Sequence, residues 1–423
     1  MTNTTFKPIN ELRWLFFDLN SYFASVEQQD RTELRGRPIA VIPSDTDATC
    51  AIAASYEAKA YGIKTGTRIY DAKKMCPDLI CVLARHHKYV EYHTRIFKEV
   101  GNHIPITKVC SIDEASCKLS NKEKSPLMAE QLAHNIKEGL RRNIGKHTKC
   151  SIGLAPNAFL AKTATDMQKP DGLVTLMPKD FHHSLFKLAL SDLCGIGRGI
   201  ERRLNLAGIN TVEQLWKASP KHIRKVWGGV GGERFWYSLH GYEVPDIATK
   251  KSMVGHSRVL DPVHRPIDEA YGVTRYLVTK ACSRLRSYNL YSRKFTLGIR
   301  TVSRTYWRDE VTISPTHDDF SILKKLDEMW NRMRFDINNE RLMKVSVALF
   351  DLYKKQEITL DLFATDNETK SKQSSQLTSA IDSINKRFGK DTVNVGMRPK
   401  TSSGYVGTKI AFTRVPTIDE FTK

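Results

Sequence analysis

The stretch Ser111-Ile112-Asp113-Glu114 places two carboxylates side by side between two short runs of strand-forming residues. Neighbouring side chains of a straight strand point to opposite faces, so Asp113 and Glu114 can share a site only if the chain bends between the runs. Two carboxylates held close together repel each other unless a cation lies between them, and oxygen-only ligands suit Mg²⁺. The pair therefore predicts a metal-binding bend, with a solvated hairpin turn as the alternative.

A third carboxylate follows an apolar run near the N-terminus. The run 14–17 predicts a buried central strand that Asp18 closes, and Asn20 or Ser21 can cap the helix that follows. A carboxylate at the carboxyl end of a central strand is a favoured place for a metal ligand, although such an Asp is equally often a helix cap. With the Asp-Glu pair, Asp18 forms a candidate three-carboxylate site.

The bulk composition indicates several domains and a polyanionic partner. A chain of 423 residues is too long for one ordinary core. It has 66 Lys and Arg against 46 Asp and Glu, a net charge of +20, which favours nucleic acid. A membrane surface is the competing partner, but no apolar run approaches the ~18 residues of a spanning helix, and no secretory signal is recognisable. The eight cysteines form no C-x-x-C pair, so we expect reduced thiols in a cytoplasmic protein.

Two segments carry groups suited to phosphate. Tyr56 and Lys59 are three residues apart and would share one face of a helix, for which an exposed helix face is the alternative interpretation. The segment 169–172 (Lys-Pro-Asp-Gly) predicts a turn that offers a lysine beside exposed backbone. Up to residue 177, the predicted order strand–helix–strand–strand–helix–strand suits an antiparallel sheet backed by helices.

Glycine-rich turns between helices mark residues 188–241. The segment 193–197 (Leu-Cys-Gly-Ile-Gly) resembles a helix-hairpin-helix turn, and a second glycine cluster spans residues 228–232. Such turns leave backbone N–H groups available to a phosphate oxygen without reading base sequence. Plain interhelical turns are the alternative, but two of them in a basic protein favour binding to the DNA backbone.

The stretch 270–308 carries nine basic residues and no acidic one. Residues 291–307 alternate like two paired strands and put Arg293, Arg300 and Arg304 on accessible positions. Charge of one sign on a sheet repels itself unless a counter-surface is present, so this is the clearest nucleic-acid signal in the chain.

Further elements are predicted on both sides of this stretch. Residues 243–254 look like a linker, 322–333 like a helix and 345–349 like a strand, which gives a second small sheet with helices. Residues 366–375 are polar and predict a flexible segment. An amphipathic helix follows, with apolar residues at Leu377, Ile381, Ile384 and Phe388.

Taken together, these segments resemble the Y-family of DNA polymerases. The matching motifs, in the family's order and spacing, are Asp18-Leu-Asn-Ser-Tyr-Phe-Ala-Ser-Val-Glu27, Tyr56-Glu-Ala-Lys59, Ser111-Ile-Asp-Glu114, Lys162, Asp166-Met-Gln-Lys-Pro170 and Leu193-Cys-Gly-Ile-Gly197. The resemblance implies an α+β, multidomain right-hand polymerase with a ferredoxin-like βαββαβ palm. The implied domains are the palm (1–23 and 86–177), small fingers (24–85), a helix-hairpin-helix thumb (178–243), a linker (244–256), an α/β little finger (257–353) and a C-terminal tail (354–423).

The implied function is that of a DNA-directed DNA polymerase, a nucleotidyltransferase that extends a primer with low fidelity in translesion synthesis, DNA repair and the SOS response. The implied partners are primer-template DNA and deoxynucleoside triphosphates, with a sliding clamp and accessory SOS subunits as further candidates and no membrane. A fingers region of about sixty residues, many of them small, closes loosely around a base pair, which gives low fidelity a physical basis.

The resemblance also assigns roles to the carboxylates. Asp18 and Asp113 would bind both of two Mg²⁺ ions. Glu114 would bind the ion that activates the primer 3′-hydroxyl, and the backbone carbonyl of Leu19 would bind the ion that carries the triphosphate.

Six residues are assigned to the incoming nucleotide: Tyr22, Phe23, Ile52, Tyr56, Lys59 and Lys169. Among them, Tyr56, Lys59 and Lys169 would hold the β- and γ-phosphates. Phe23 would be the steric gate, a ring that stands where a ribose 2′-hydroxyl must go. Ile52 would cover the nascent base pair.

DNA contacts are implied for the thumb hairpins and the little finger, at Gly195, Gly197, Gly229, Gly231, Arg293, Lys294, Arg300 and Arg304. The segment Thr359-Leu-Asp-Leu-Phe363 resembles the pentapeptide that binds the sliding clamp, although Thr359 stands where Gln is expected. Leu360, Leu362 and Phe363 could still enter an apolar groove.

Some residues depart from the family pattern. Lys59 stands where many relatives have Arg, which replaces a bidentate fork with a point charge. Asn20 and the C-terminal extension resemble the catalytic subunit of polymerase V, whereas Tyr56 resembles polymerase IV, so the subfamily and its need for accessory subunits stay open.

Three alternatives compete with an active polymerase. A catalytically weak, polymerase-like scaffold of a mutasome is the first, but the three carboxylates are present. A metal-dependent nuclease would not explain Phe23 or the triphosphate-binding set. A basic DNA-binding protein without chemistry would not explain the carboxylates.

Overall fold

The computed structural model describes residues 9–246, 250–357, 367–389, 392–396, 400–401, 404–405 and 415–416. The chain forms two compact units. The N-terminal unit comprises Met1–Ile247 with Lys409–Ile418, and the C-terminal unit comprises Ala248–Thr408 with Asp419–Lys423. Within the described ranges, no helix combines the length and the apolar character needed to cross a membrane. The architecture is α+β and multidomain, as predicted.

The N-terminal unit contains eight strands and eleven α-helices among its described residues. The strands are β1 (Trp14–Leu19), β2 (Ile39–Ile42), β3 (Ala53–Ala54), β4 (Ile80–Leu83), β5 (Lys108–Val109), β6 (Glu114–Lys118), β7 (Cys150–Ala155) and β8 (Leu173–Thr175). The helices are α1 (Tyr22–Asp30), α2 (Tyr56–Ala60), α3 (Ile69–Met75), α4 (His86–His103), α5 (Pro126–Asn143), α6 (Ala158–Met167), α7 (Phe181–Leu185), α8 (Arg198–Leu206), α9 (Val212–Lys217), α10 (Pro220–Trp227) and α11 (Val230–Leu239).

Strand β1 is the centre of the larger sheet, as its apolar sequence predicts. The strand order is β5-β6-β1-β7-β8, and β1 runs antiparallel to both of its neighbours. Successive side chains alternate between the faces. Phe16 packs in a core with α6, and Phe17 meets Phe97 of α4 in an edge-to-face contact with ring centroids 5.2 Å apart. Helices thus cover both faces of the sheet, and the end of β1 stays fixed between them.

Gly153 of β7 lets helix α6 lie close to this sheet. A Cβ atom added to Gly153 would come within 2.0 Å of the carbonyl oxygen of Ala161, so a larger residue would push α6 away. This close approach brings the side chains of α6 near the end of β1.

A small sheet of order β3-β2-β4 forms the segment predicted as the fingers. Its core consists largely of small residues, which include Ala40, Ala51, Ala54 and Ala58. Helices α7 to α11 follow, and their apolar side chains share one core with α6. The two predicted helical hairpins are present, one before α8 and one between α10 and α11.

The C-terminal unit contains an antiparallel sheet of order β11-β10-β12-β9. Its elements are β9 (Met253–Val259), α12 (Ile267–Ser287), β10 (Leu290–Thr301), β11 (Tyr306–Thr316), α13 (Asp319–Asp336), β12 (Leu342–Lys354), α14 (Asn367–Phe388), β13 (Lys400–Thr401) and β14 (Gly404–Tyr405). The buried side chains of the sheet pack against α12 and α13 in one core. The strand pair predicted over 291–307 is part of β10 and β11. The helix predicted over 322–333 lies within α13, and the strand predicted over 345–349 lies within β12.

Two features of the C-terminal unit differ from the sequence-based predictions. Strand β9 begins at Met253, inside the segment predicted as a linker, because Met253–Val259 pairs with β12. Helix α14 begins at Asn367, so residues 367–375 are helical where the sequence predicted a flexible segment. The clamp-like segment 359–363 lies outside the described residues.

Helix α14 is held by a buried arginine of α12. Arg286, whose side chain is 8% exposed, donates two hydrogen bonds to Asp382 (2.6 and 3.0 Å) and two to Asp319 of α13 (3.0 and 3.3 Å). Phe388, which belongs to the predicted apolar stripe of this helix, is 63% exposed. The helix is therefore anchored through a polar contact rather than by burial of its whole apolar stripe.

Candidate active site

The chain bends between β5 and β6, as predicted for a shared carboxylate site. The backbone N–H groups of Cys110 and Ser111 both donate to the carbonyl of Glu114 (3.0 and 3.2 Å). The Ser111 hydroxyl donates to the carboxylate of Asp113, and the Asp113 N–H donates back to that hydroxyl (3.3 Å). These bonds close a tight turn that sets Asp113 and Glu114 at the same edge of the sheet.

This turn lies against the end of β1. Asp18 is the direct cross-strand partner of Glu114, and the Leu19 N–H donates to the carbonyl of Asp113 (2.8 Å). Burial raises the pKa of Asp113, and the neighbouring carboxylates of Asp18 and Glu114 add to this increase. The structure therefore brings together the three carboxylates singled out from the sequence.

Two lysines neutralise the carboxylate cluster. The Lys162 ammonium of α6 contacts Asp18 and lies 2.9 Å from Glu114 Oε2, while Lys169 lies 2.6 Å from Asp18 Oδ1. Asp166 contacts both lysines, at 3.7 and 2.7 Å. Burial opposes the charge on Lys162, but the surrounding carboxylates outweigh it and raise its pKa. Lys162 belongs to the sequence motifs of the family resemblance, but its contacts with the carboxylates were not predicted from the sequence.

The donor set suits a hard divalent cation. All three carboxylates supply oxygen only, and burial, with a smaller contribution from the neighbouring carboxylates, raises the pKa of Asp113. Within the part of the chain that the structure describes, no three His, Cys, Asp or Glu side chains are arranged as a ready-made metal cage. The Lys162 ammonium contacts both Asp18 and Glu114, so a divalent cation bound to these two carboxylates would have to compete with it.

Helix α2 presents the predicted phosphate-binding pair. The Lys59 ammonium lies 4.3 Å from the ring centroid of Tyr56, so both side chains share one face of the helix. Partial burial lowers the pKa of Lys59, and the ammonium of Lys169 lowers it further. Burial also raises the pKa of Tyr56, which interacts with Lys169 and Asp18 as well. Tyr56, Lys59 and Lys169 therefore line one region beside the carboxylates.

The aromatic residues after β1 occupy different environments. Phe23 is half-buried and stacks on Tyr89 of α4, with ring centroids 4.2 Å apart. Tyr22 is buried, and its hydroxyl donates to the backbone carbonyl of Tyr89 (2.5 Å). The Tyr22 side chain therefore lies behind the site. Ile52, also predicted to contact the nucleotide, is half-buried in the fingers segment, where its N–H donates to Val41.

Asn20 connects the end of β1 with the Lys169 loop. It is 2% exposed, its amide donates to the Ser151 hydroxyl (3.0 Å), and its side-chain oxygen accepts from the Asp171 N–H (2.7 Å). Ser151 in turn accepts from the Gly172 N–H (3.2 Å). The prediction of a side-chain cap on α1 is wrong, since neither Asn20 nor the N-cap residue Ser21 bonds that helix through its side chain.

The thumb hairpins expose backbone at most of the predicted glycines. Gly195 has φ +97°, which favours glycine, and Gly197 is the N-cap residue of α8, which has no side-chain cap. No atom lies within 4 Å of a Cβ built on Gly197 or Gly229. The Gly229 N–H already donates to the carbonyl of Arg224 (3.0 Å), whereas Gly231 lies inside the first turn of α11. The first hairpin is thus the more open of the two.

The basic stretch of the C-terminal unit is partly neutralised by acidic residues from elsewhere in the chain. Arg286 binds two aspartates, Arg275 contacts Asp327 (3.6 Å) and Lys294 binds Glu310 (3.0 Å). The prediction of uncompensated positive charge is therefore wrong for these residues, because carboxylates outside the stretch pair with them.

Some other basic residues of this stretch form no ion pair within the described part of the chain. Arg293 packs over the ring of Tyr353, 4.9 Å from its centroid. Arg300 and Arg304, which have no ion-pair partner among the described residues, line a hollow of about 390 Å³ with Lys344 and Tyr306. The hollow is positively charged, and its two arginines are exposed to solvent.

Comparison with known proteins extends over most of the chain. The model of the impB/mucB/samB family matches residues 17–166, and the model of that family's C-terminal domain matches residues 251–362. A solved Y-family DNA polymerase chimera has the same fold, with a TM-score of 0.68, 22% identity and coverage of 81% of this chain and all of that one. DNA polymerase IV of Moorella thermoacetica is 31% identical over 395 residues, which cover 90% of this chain and 94% of the relative.

The chain belongs to the Y-family of DNA polymerases. It is similar to further members called DNA polymerase IV, from Oceanobacillus iheyensis (28% identical, 91% of this chain and 92% of the relative) and Bacillus anthracis (29%, 89% and 90%). The Y-family polymerases are metal-dependent, DNA-directed DNA polymerases of translesion synthesis. The predicted family, fold class and enzyme class are confirmed.

Proposed function

We propose that this Y-family polymerase extends a DNA primer along a template strand with Asp18, Asp113 and Glu114 as its catalytic carboxylates and Mg²⁺ as its metal. The observation that carries the proposal is their convergence at the end of β1 through the Asp18–Glu114 pairing and the 110–114 turn. Supporting it, the phosphate-binding candidates Lys59 and Lys169 lie beside these carboxylates.

The carboxylates and the Leu19 carbonyl would hold two Mg²⁺ ions. When bound, the ions supply positive charge to the attacking and leaving oxygens of an in-line phosphoryl transfer. Asp18 and Asp113 would hold both ions, and Glu114 would hold the one that activates the primer 3′-hydroxyl. The Ser111 hydroxyl fixes the orientation of the Asp113 carboxylate through its hydrogen bond.

The triphosphate is bound by the groups that face the carboxylates. Lys169 and Lys59 donate to phosphate oxygens, and the Tyr56 hydroxyl adds a neutral donor. Asn20 holds the loop that carries Lys169 through its bonds to Ser151 and Asp171. Phe23 selects the sugar, because its ring stands over the position of a ribose 2′-hydroxyl, and Ile52 covers the base pair.

Primer-template DNA is bound by each unit in its own way. The open hairpin at Gly195 and Gly197 binds phosphate through backbone N–H groups. In the C-terminal unit, Arg300 and Arg304 reach phosphates from the charged hollow. A structure with a similar fold is an insertion ternary complex of Dbh DNA polymerase (TM-score 0.51, 23% identity, 81% of this chain and all of that one), which supports DNA and nucleotide as ligands.

A sliding clamp is the proposed protein partner, through Leu360, Leu362 and Phe363. Apolar side chains at this spacing can enter a groove on the clamp even with Thr359 at the first position. Deletion of residues 359–363 should reduce clamp-dependent synthesis and spare synthesis without the clamp. Equal loss of both activities would remove this role, and pull-down with accessory SOS subunits would test those partners separately.

The experiment that tests the catalytic assignment is primer extension by the purified chain with Mg²⁺ and deoxynucleotides. Asp113→Ala and Glu114→Ala should each abolish extension, whereas Glu138→Ala, which removes an exposed carboxylate of α5 paired with Arg141, should not. Retained extension in either site variant would reject the assignment. A wild-type chain that binds primer-template but never extends it would support the scaffold alternative instead.

A further inference from the structure

The ring of Phe23 lies in a cluster of aromatic side chains supplied by α4. Tyr89 stacks on it nearly parallel, at 12° and 4.2 Å between centroids. His86 meets the same ring edge-on, with centroids 6.3 Å apart at 88°. One face of Phe23 is therefore backed by Tyr89, and the orientation of Phe23 follows the position of that ring.

Tyr89 is itself fixed at its hydroxyl and at its backbone. Its hydroxyl donates to Glu27 Oε1 (2.8 Å) and accepts from the N–H of Arg85 (3.2 Å). Its carbonyl accepts the hydroxyl of Tyr22 (2.5 Å). The residue is fully buried, so its ring cannot move without breaking these bonds.

Glu27 is a buried carboxylate that the catalytic assignment does not use. It is 0% exposed and sits on α1, one turn after Phe23. Arg85 neutralises it with hydrogen bonds from Nε (3.1 Å to both oxygens) and from a terminal nitrogen (2.7 Å). A fully buried carboxylate needs a cationic partner of this kind. The neutralised Glu27 carboxylate in turn accepts the hydrogen bond from the Tyr89 hydroxyl.

We propose that the buried Glu27–Arg85 pair sets sugar selectivity by holding Tyr89 behind Phe23. The inference rests on the proposed function of Phe23 as the steric gate. Glu27, Arg85 and Tyr89 are positioning residues, because they act on the sugar only through the ring of Phe23, on which Tyr89 stacks. Selectivity against a 2′-hydroxyl requires that the gate ring cannot retreat, and this arrangement blocks the retreat.

The proposal predicts a specific effect of removing one hydroxyl. Tyr89→Phe keeps the ring but loses its bond to Glu27, so the gate can move back. The ratio of kcat/KM for a deoxynucleotide to that for the ribonucleotide of the same base should fall about tenfold, the scale of one hydrogen bond to a charged group. The kcat/KM for the deoxynucleotide should change by less than about threefold.

Controls separate positioning from folding. Tyr92→Phe removes a hydroxyl from another buried tyrosine of α4 and should leave the ratio unchanged. Phe23→Ala should lower the ratio strongly, and adding Tyr89→Phe to it should have no further effect, since there is no gate left to hold. A cooperative thermal unfolding transition shows that each variant is folded.

The outcomes are distinct. A lowered ratio in Tyr89→Phe that vanishes in the Phe23→Ala background supports the proposal. A wild-type ratio in Tyr89→Phe, or an equal loss of activity towards both sugars, overturns it while leaving the gate intact. If Phe23→Ala itself keeps the wild-type ratio, the gate assignment fails, and if the wild-type chain does not extend a primer, the proposed function fails.

Discussion

The Nζ atom of Lys162 lies 2.9 Å from Oε2 of Glu114, and the same ammonium contacts Asp18 on the neighbouring strand. Lys162 therefore carries positive charge into the centre of the carboxylate cluster. Gly153 makes this possible, because it lets α6 lie close to β7. The ammonium compensates the carboxylates and at the same time competes with any metal ion that binds them.

Removal of the ammonium should strengthen metal binding. In Lys162→Met, the carboxylates lose both a competitor and a compensating charge, so we expect Mn²⁺, as a probe for Mg²⁺, to bind about three- to tenfold more tightly. Calorimetric or spectroscopic titration of Mn²⁺ measures this directly. Lys217→Met, which removes a surface lysine paired with Glu213, is the control. Weaker binding in Lys162→Met would show that the lysine supports the metal site rather than competing for it.

Loss of the Asn20 side chain should weaken nucleotide binding. Asn20→Ala frees the Lys169 loop from Ser151 and Asp171, so we expect KM for a deoxynucleotide to rise about five- to tenfold with a smaller effect on kcat. Steady-state primer extension at varied nucleotide concentration gives both constants. Asn135→Ala, on the outer side of α5, is the matched control. An unchanged KM would mean that the loop holds its position without Asn20.

Nucleotide binding should weaken at alkaline pH because of Lys59. Burial and the Lys169 ammonium lower the pKa of Lys59, so this lysine loses its proton at a lower pH than an ordinary lysine does. Phosphate binds the charged form, and KM should therefore rise as the pH increases from neutral towards about 10. Lys59→Arg keeps its charge over this range and should show a flatter profile. Coincident profiles of KM against pH would contradict the assignment of Lys59 to the triphosphate.

The anchor of α14 should contribute to the stability of the C-terminal unit. Asp382→Ala leaves Arg286 with Asp319 alone, and we expect a loss of about 1–2 kcal/mol, because Asp382 is partly exposed. Denaturant unfolding of the full chain measures the change, and hydrogen exchange of α14 locates it. Asp268→Ala, which removes a well-exposed partner of Arg334, should have almost no effect. Equal protection of α14 in both variants would show that other contacts hold the helix.

The central strand and the carboxylate bend could be predicted because their signals are local. Each signal is contained in a few consecutive residues. One is an apolar run that ends in Asp18, another is a pair of carboxylates between two short strands, and a third is the glycines of each hairpin. The structure confirms the bend and the meeting of Asp18 with Glu114.

The supporting contacts could not be predicted, because they join distant residues. Arg85 is 58 residues from Glu27, and Lys162 is 144 residues from Asp18. A polar residue such as Asn20 suggests a helix cap when only its neighbours are considered, whereas its partners lie on β7 and in the 168–172 loop. The carboxylates that neutralise part of the basic stretch 270–308 could not be predicted for the same reason, since Asp382 lies 96 residues from Arg286.

The anchoring of α14 by Arg286 changes how a clamp would hold this polymerase. The clamp-like segment belongs to the nine residues between Glu357 and Asn367. In the sequence these follow strand β12 with its short 3₁₀ turn and precede α14, which is tied to α12. A fully extended chain of this length reaches only about 30 Å. If a clamp binds there, as proposed, it stays within about 30 Å of both β12 and α14, because this length of chain cannot reach further.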